Sequence, residues 1–205
     1  MEAVIENGFA KVGAGDWLMG RAQPVACGGR AVVGGLKGLF VPDRGYVRAV
    51  TLDAEAYCAS ADAPFLSRLD ALPDVPLMLT SEKLLAAPRA ARTGARSVRL
   101  VPMSLSKSLV VTEFRKGWAV AATRSRVTRV ALEDGATLTV RPEAVVGWIG
   151  NDPSGFCPRL SVFDMILPRM PRNLAFTFHG PATVWFEGSS PDGFAPRRRR
   201  ERRMR

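Results

Sequence analysis

The chain holds one histidine, His179, and three cysteines, Cys27, Cys58 and Cys157. A single imidazole excludes any site built on two histidines and leaves only one Ser/His or Cys/His arrangement. Neither a Gly-x-Ser-x-Gly elbow nor a protease-type cysteine motif is present. His179 therefore reads as an ordinary residue at the end of an apolar strand. The cysteines are odd in number and widely spaced, with no Cys-x-x-Cys pair, which argues against a disulfide framework and a zinc site and for a reducing compartment.

The glycine-rich run GGRAVVGGLKG, residues 28–38, invites a phosphate-loop reading, since such loops turn backbone N–H groups toward phosphates. It lacks the Gly-Lys-Ser/Thr order, because Lys37 follows Leu36 and precedes Gly38. Gly13 and Gly15 likewise have no third partner, as position 18 is leucine. Turn glycines account for both. The carboxylates do not pair for general acid/base work either: Glu133 and Asp134 belong to a turn, and Asp152 and Asp164 fall in or near loops. No catalytic residue, metal ligand or cofactor site is assigned, and the expected protein is not an enzyme.

The arginines are different. The last nine residues, RRRRERRMR, hold Arg197, Arg198, Arg199, Arg200, Arg202, Arg203 and Arg205 with one glutamate, a formal charge of +6. Of the chain's +10, that leaves +4 for the rest, an ordinary excess for a domain. A run of like charges cannot bury itself, and Pro191, Gly193 and Pro196 separate it from the last apolar stretch, so the tail is expected to be disordered when unbound. Arginine pairs well with phosphate, which points to RNA, DNA or an anionic lipid surface. Arg124 and Arg126 would share one strand face if the strand began that early, with Arg129 on the other. With Arg89, Arg92 and Arg96 they could extend a basic track, although a solvated face also explains them. Trp118, Trp148, Trp185 and Phe186 could stack on bases. Each lies in an apolar strand, where core burial is the simpler reading.

These residues need a scaffold, and the composition supplies one. With 205 residues, 47% hydrophobic and 23% charged, the chain can bury a core and is not a disordered or fibrous protein. The N-terminus has no apolar run suited to a signal peptide and no transit-peptide character, and no window approaches eighteen apolar residues. The expected location is cytoplasmic, with peripheral membrane association as the other.

From Ala22 to Leu52, short apolar runs cut by glycine read as short strands. Pro64, Phe65, Leu66, Leu69 and Leu72 have helical spacing and predict a helix, and residues 81–87 predict a second, short one. The runs 108–114, 118–123, 127–132, 137–140 and 144–150 predict five strands in an antiparallel meander. Asp134-Gly135 marks a hairpin between two of them. Two more strands, 174–180 and 182–188, join at Gly180-Pro181. The expected fold is mostly β: an antiparallel β-sandwich over residues 1–190, in one piece or as halves 1–100 and 101–190. One or two short helices accompany it, and residues 191–205 form a linker and a disordered basic tail.

The block LVVTEFRKGWAVAATRSRVTRVALEDGATLTVRPEAVVGWIGN, from Leu109 to Asn151, together with LAFTFHGPATVWFEGS from Leu174, resembles the altered-inheritance-of-mitochondria family, a former domain of unknown function in bacteria. The likeness lies in a strand, an Asp-Gly turn, the TLTVRPEAVVGW strand pair and a late Gly-Pro before a terminal strand. It covers about half of the chain, and the late motif reads Gly-Pro-Ala where the family pattern has a second glycine. The resemblance implies a double-layered β-sandwich like that of the tryptophan RNA-binding attenuation protein, assembled as a homo-oligomer and without established catalytic activity. Eukaryotic relatives are linked to mitochondrial inner-membrane organisation. The arginine tail is no part of that pattern. The expected function is a non-enzymatic scaffold or binding protein whose tail docks on RNA or a ribonucleoprotein, the alternative being a homo-oligomeric structural protein on an anionic membrane.

Overall fold

In the computed structural model, the residues described are 4–18, 22–27, 31–32, 39–41, 45–47, 50–52, 54–60, 62–88, 93–99, 108–156 and 175–188. Nearly all lie in or between β-strands. The first group comprises β1 (Val4–Glu6), β2 (Phe9–Val12), β3 (Trp17–Leu18), β4 (Ala22–Cys27), β5 (Ala31–Val32), β6 (Leu39–Val41), β7 (Gly45–Val47), β8 (Val50–Leu52) and β9 (Ala56–Ser60). Next come β10 (Phe65–Asp70), β11 (Leu77–Thr80), β12 (Leu84–Ala87), β13 (Thr93–Arg99), β14 (Ser108–Phe114) and β15 (Trp118–Thr123). The last six are β16 (Val127–Leu132), β17 (Thr137–Val140), β18 (Val145–Gly150), β19 (Ser154–Phe156), β20 (Ala175–His179) and β21 (Ala182–Glu187).

Their pairing is a threefold repetition. In the second repeat, β10–β15, the first, sixth and third strands lie side by side in one sheet, and the second, fifth and fourth lie in another. The third repeat, β16–β21, does the same, and so does the first when it is counted as β2, β3, β4, β5, β8 and β9. The hairpin β6–β7 is then an insertion, and β1 an N-terminal addition against β2 through the turn Asn7-Gly8, both with positive φ (49° and 81°). All described pairings are antiparallel. The register supports the correspondence in detail: the third strand of each repeat carries a β-bulge against the sixth, between Pro24 and Ala26, Leu84 and Ala86, and Val145 and Gly147. An identical irregularity three times over aligns Ala26 with Ala86 and Gly147.

Neighbouring repeats share sheets. The third strand of one pairs with the second strand of the repeat before it, so that β12 lies on β3 and β18 on β11. Four layers result: β1-β2-β9-β4, then β10-β15-β12-β3-β8-β5, then β13-β14-β11-β18-β21-β16, then β17-β20-β19. Each gap between layers is one core. Ala10, Val12 and Cys58 meet Trp118 and Val120 in the first; Leu69, Leu84 and Ala121 meet Leu77, Phe114 and Ile149 in the second; Trp148, Val111 and Val184 meet Leu138, Phe176 and Phe178 in the third. This explains why β15 and β18, covered on both faces, read as unbroken apolar runs instead of alternating ones.

The mostly β antiparallel architecture is as expected, but three local expectations are corrected. The segment from Pro64 to Leu72 is no helix: Phe65–Asp70 is strand β10, bonded along its length to β15. Helical spacing of short apolar runs is ambiguous, and the waiting edge of β15 decides it. Residues 81–87 form one 3-10 turn, Ser81–Lys83, followed by β12. The meander is absent as well, because consecutive strands change layers. The Glu133 to Ala136 turn forms, with the Ala136 N–H donating to the Glu133 carbonyl at 3.0 Å and Gly135 at φ 75°. Yet β16 pairs with β21 and β17 with β20, so the turn passes the chain from one layer to the next and closes no hairpin.

Candidate functional site

Arg124 and Arg126 lie in the turn between β15 and β16, both exposed, so the shared strand face does not arise because β16 begins only at Val127. Thr123 holds this turn: its hydroxyl contacts the Ser125 carbonyl at 2.8 Å and that of Phe65 at 3.2 Å. Arg129 is exposed on β16, an edge strand, with its guanidinium carbon 5.7 Å from the centre of the Trp185 ring, a cation–π contact. None of the ion pairs between described residues uses these three arginines. The adjacent carboxylate, Glu187, is engaged elsewhere: Lys83 Nζ binds its Oε1 at 3.0 Å and donates to the Glu143 carbonyl at 2.7 Å.

The chain leaves the last strand at this same corner. The Gly188 N–H donates to the Arg126 carbonyl at 3.0 Å, and the Thr128 hydroxyl donates to the Gly188 carbonyl at 2.7 Å. Eight residues separate Gly188 from Arg197. Even fully extended they span at most about 29 Å. The fold thus gathers Arg124, Arg126 and Arg129 around the point from which the C-terminal segment departs. Arg197, Arg198, Arg199, Arg200, Arg202, Arg203 and Arg205 lie outside the described residues, as do Arg89 and Arg92, while Arg96 is placed on β13.

Register equivalence adds a point that the sequence did not signal. Lys11, Arg68 and Arg129 oppose Tyr57, Val120 and Trp185, the same position of three repeats. Two of these cations are answered within their own repeat. Lys11 binds Glu55 at 3.1 Å, which holds its amine above the ordinary lysine value, and Arg68 binds Asp70 at 2.7 Å. Only in the third repeat does the equivalent arginine stack on an aromatic ring, beside Arg124 and Arg126. The positive charge is concentrated by what its neighbours are, not by where the fold puts basic residues.

The other candidates resolve into structure. Trp118 and Trp148 are buried, as is Phe186, and Trp185 is covered on one side by Arg129. Trp148 Nε1 has no hydrogen-bond partner, and the ring stands edge-on to Phe178 at 5.7 Å. His179 is exposed, with Nε2 3.4 Å from Ser154 Oγ, which also contacts the Thr177 carbonyl at 3.3 Å. Which atom donates to the other depends on the imidazole tautomer, and the contact is long for an activated pair. Gly15, at φ 80°, belongs to the Gly13 to Asp16 turn before β3, and the Gly13 N–H donates to Asp16 Oδ2 at 2.8 Å. Residues 28–38 lie largely outside the described residues. Among those described, no three His, Cys, Asp or Glu side chains are grouped to hold a metal ion, and no helix is long and apolar enough to cross a membrane.

No family model and no curated protein matches this chain. Among solved structures it is similar to protein SPYM3_0169 from Streptococcus pyogenes, with a TM-score of 0.63 at 14% sequence identity over 91% of this chain and 92% of that one. The likeness is one of fold, and it extends over all three repeats.

Proposed function

We propose that the protein is a non-enzymatic β scaffold whose arginine tail docks on a polyanion, RNA or a ribonucleoprotein, with Arg124 and Arg126 at the tail's root joining the contact. The observation that carries this reading is the seven arginines among the last nine residues, on a chain that leaves the fold beside three exposed arginines with no ion pair among the described residues. The contact works through arginine–phosphate pairing and counterion release, so it has affinity without base specificity. The resemblance to the altered-inheritance-of-mitochondria family fits a scaffold role.

The test compares the full chain, a truncation ending at Pro196, and the Arg124→Ala/Arg126→Ala double variant for retention of a single-stranded RNA at low salt. The proposal expects strong retention by the full chain, weaker retention by the double variant and near-complete loss on truncation. Equal retention by full and truncated chains overturns it. Flotation with anionic but not neutral lipid vesicles, without RNA retention, would instead favour a peripheral membrane protein.

A further inference from the structure

The threefold repetition leaves one such junction unmade in each outer layer. Among the described residues, the third strand of the first repeat, β4, pairs with no second strand of another repeat, and the second strand of the third repeat, β17, pairs with no third strand of another. Each ends its sheet. They cannot meet within one chain, because their layers are the outer two of four, separated by two intervening sheets and by roughly 30 Å at a spacing of ~10 Å per layer.

We propose that β17 of one copy pairs antiparallel with β4 of the next, repeating between chains the junction that the fold makes twice within the chain. The internal junctions fix the register. Ala86 faces Leu18 and Ala87 faces Trp17 at one; Gly147 faces Leu79 and Trp148 faces Met78 at the other. Carried to the free edges by the bulge alignment, this sets Ala26 opposite Val140 and Cys27 opposite Thr139. The residue types match. The third-strand position is alanine, alanine and glycine in turn; Ala86 and Gly147 face leucines, and Ala26 would face Val140. At Gly147 the approach is tightest, since a Cβ there would sit 2.5 Å from the Met78 carbonyl oxygen, while the equivalent Ala86 carries a Cβ opposite Leu18.

Two further observations support the same joint. Edge strands of isolated proteins commonly carry charge that discourages pairing, and β1, β10, β13 and β16 each do. The sequences of β4, AQPVAC, and β17, TLTV, carry none, and although the edge strands β5, β6, β7 and β19 are uncharged too, each of those is only two or three residues long. Pro24 is no obstacle, since its counterparts Leu84 and Val145 spend their N–H groups on the preceding 3-10 turns, not on the joint. The outward faces of the end layers also look unfinished. Tyr57 is 37% exposed where its equivalent Val120 is fully buried, and Thr139 is exposed where Met78 is buried. Stacking copies end to end covers both. The joint uses two different surfaces, so it propagates head to tail and closes only if its rotation returns to the start.

The test is a disulfide trap with Thr139→Cys in a Cys157→Ser background, keeping Cys27. Facing residues of an antiparallel pair have Cα atoms ~4.5–5.5 Å apart, within disulfide range. The expected result is a ladder of covalently linked chains on non-reducing gels, with Cys27 joined to residue 139 of another copy, and its loss on Cys27→Ser. In parallel, light scattering on the otherwise unaltered chain should give a mass of several chains. Tyr57→Arg and Thr139→Arg, both exposed positions, should reduce it to one chain with unchanged circular dichroism. A single-chain mass for the unaltered protein across micromolar concentrations overturns the proposal, as does a Cys27 bond to residue 139 of the same chain.

Discussion

At the scale of single residues, Lys83 is the one charged residue that is buried among the described residues. It is 6% exposed, on the 3-10 turn between β11 and β12, and it ties the second repeat to the third through Glu187 and the Glu143 carbonyl. Thr80 adds a second tie, its hydroxyl donating to the Val145 carbonyl at 3.1 Å. Replacing the lysine strands a largely buried carboxylate, which typically costs about 3 kcal/mol, whereas removing both charges costs much less. Urea unfolding should therefore show Lys83→Met losing about 3 kcal/mol and the Lys83→Met/Glu187→Gln pair recovering most of it. Equal losses in both variants would mean that packing, not the ion pair, holds the corner. Nothing in the sequence marks Lys83, because Ser-Glu-Lys before two leucines reads as the polar side of a helix turn. The arginine tail is the opposite case, visible from composition alone.

At the scale of elements, strands were more legible than their partners. The runs 108–114, 118–123, 127–132 and 137–140 have the boundaries of β14, β15, β16 and β17, since turn residues on both sides delimit them. Which strand pairs with which was not legible. Asp134-Gly135 reports a tight turn, and the turn is there, but a local signal cannot tell a hairpin from a step between layers. The segment 64–72 shows a related ambiguity. As a helix it would bury Leu69 and Leu72 together; as β10 it buries Leu69 to 1% exposure, while Leu72, past its end, stays 51% exposed. Leu69→Ala should thus cost about 3 kcal/mol by the usual large-to-small penalty and Leu72→Ala under about 0.5 kcal/mol, read from denaturation midpoints. Comparable losses would contradict the strand. At the joint between β18 and β11, Gly147→Ala must push against backbone and should destabilise by about 2 kcal/mol, an overpacking cost checked by the same measurement.

At the scale of the whole molecule, one unit of six strands is used three times, and most of its positions have diverged beyond easy recognition in the sequence. Leu77-x-Leu79 and Leu138-x-Val140 still correspond, as do Glu82 and Glu143 in the two 3-10 turns, but the first repeat has an inserted hairpin and a two-residue second strand that hide the period. Repetition appears once register is known, because the bulges and joints recur where the side chains do not. Its structural consequence is a stack of four layers, with the described chain leaving the last strand at one corner, beside Arg124 and Arg126. If copies join end to end, each adds another tail, and binding to a long polyanion gains from raised effective concentration without any new contact. The most direct measurement of the central claim is the salt dependence of RNA affinity for the full chain and for the chain ending at Pro196, both at protein concentrations too low for assembly. With about six single-strand phosphates neutralised by the tail, log affinity against log salt should fall with a slope of roughly −4, and truncation should flatten most of it. A slope unchanged by truncation would contradict the account and move the contact into the folded body.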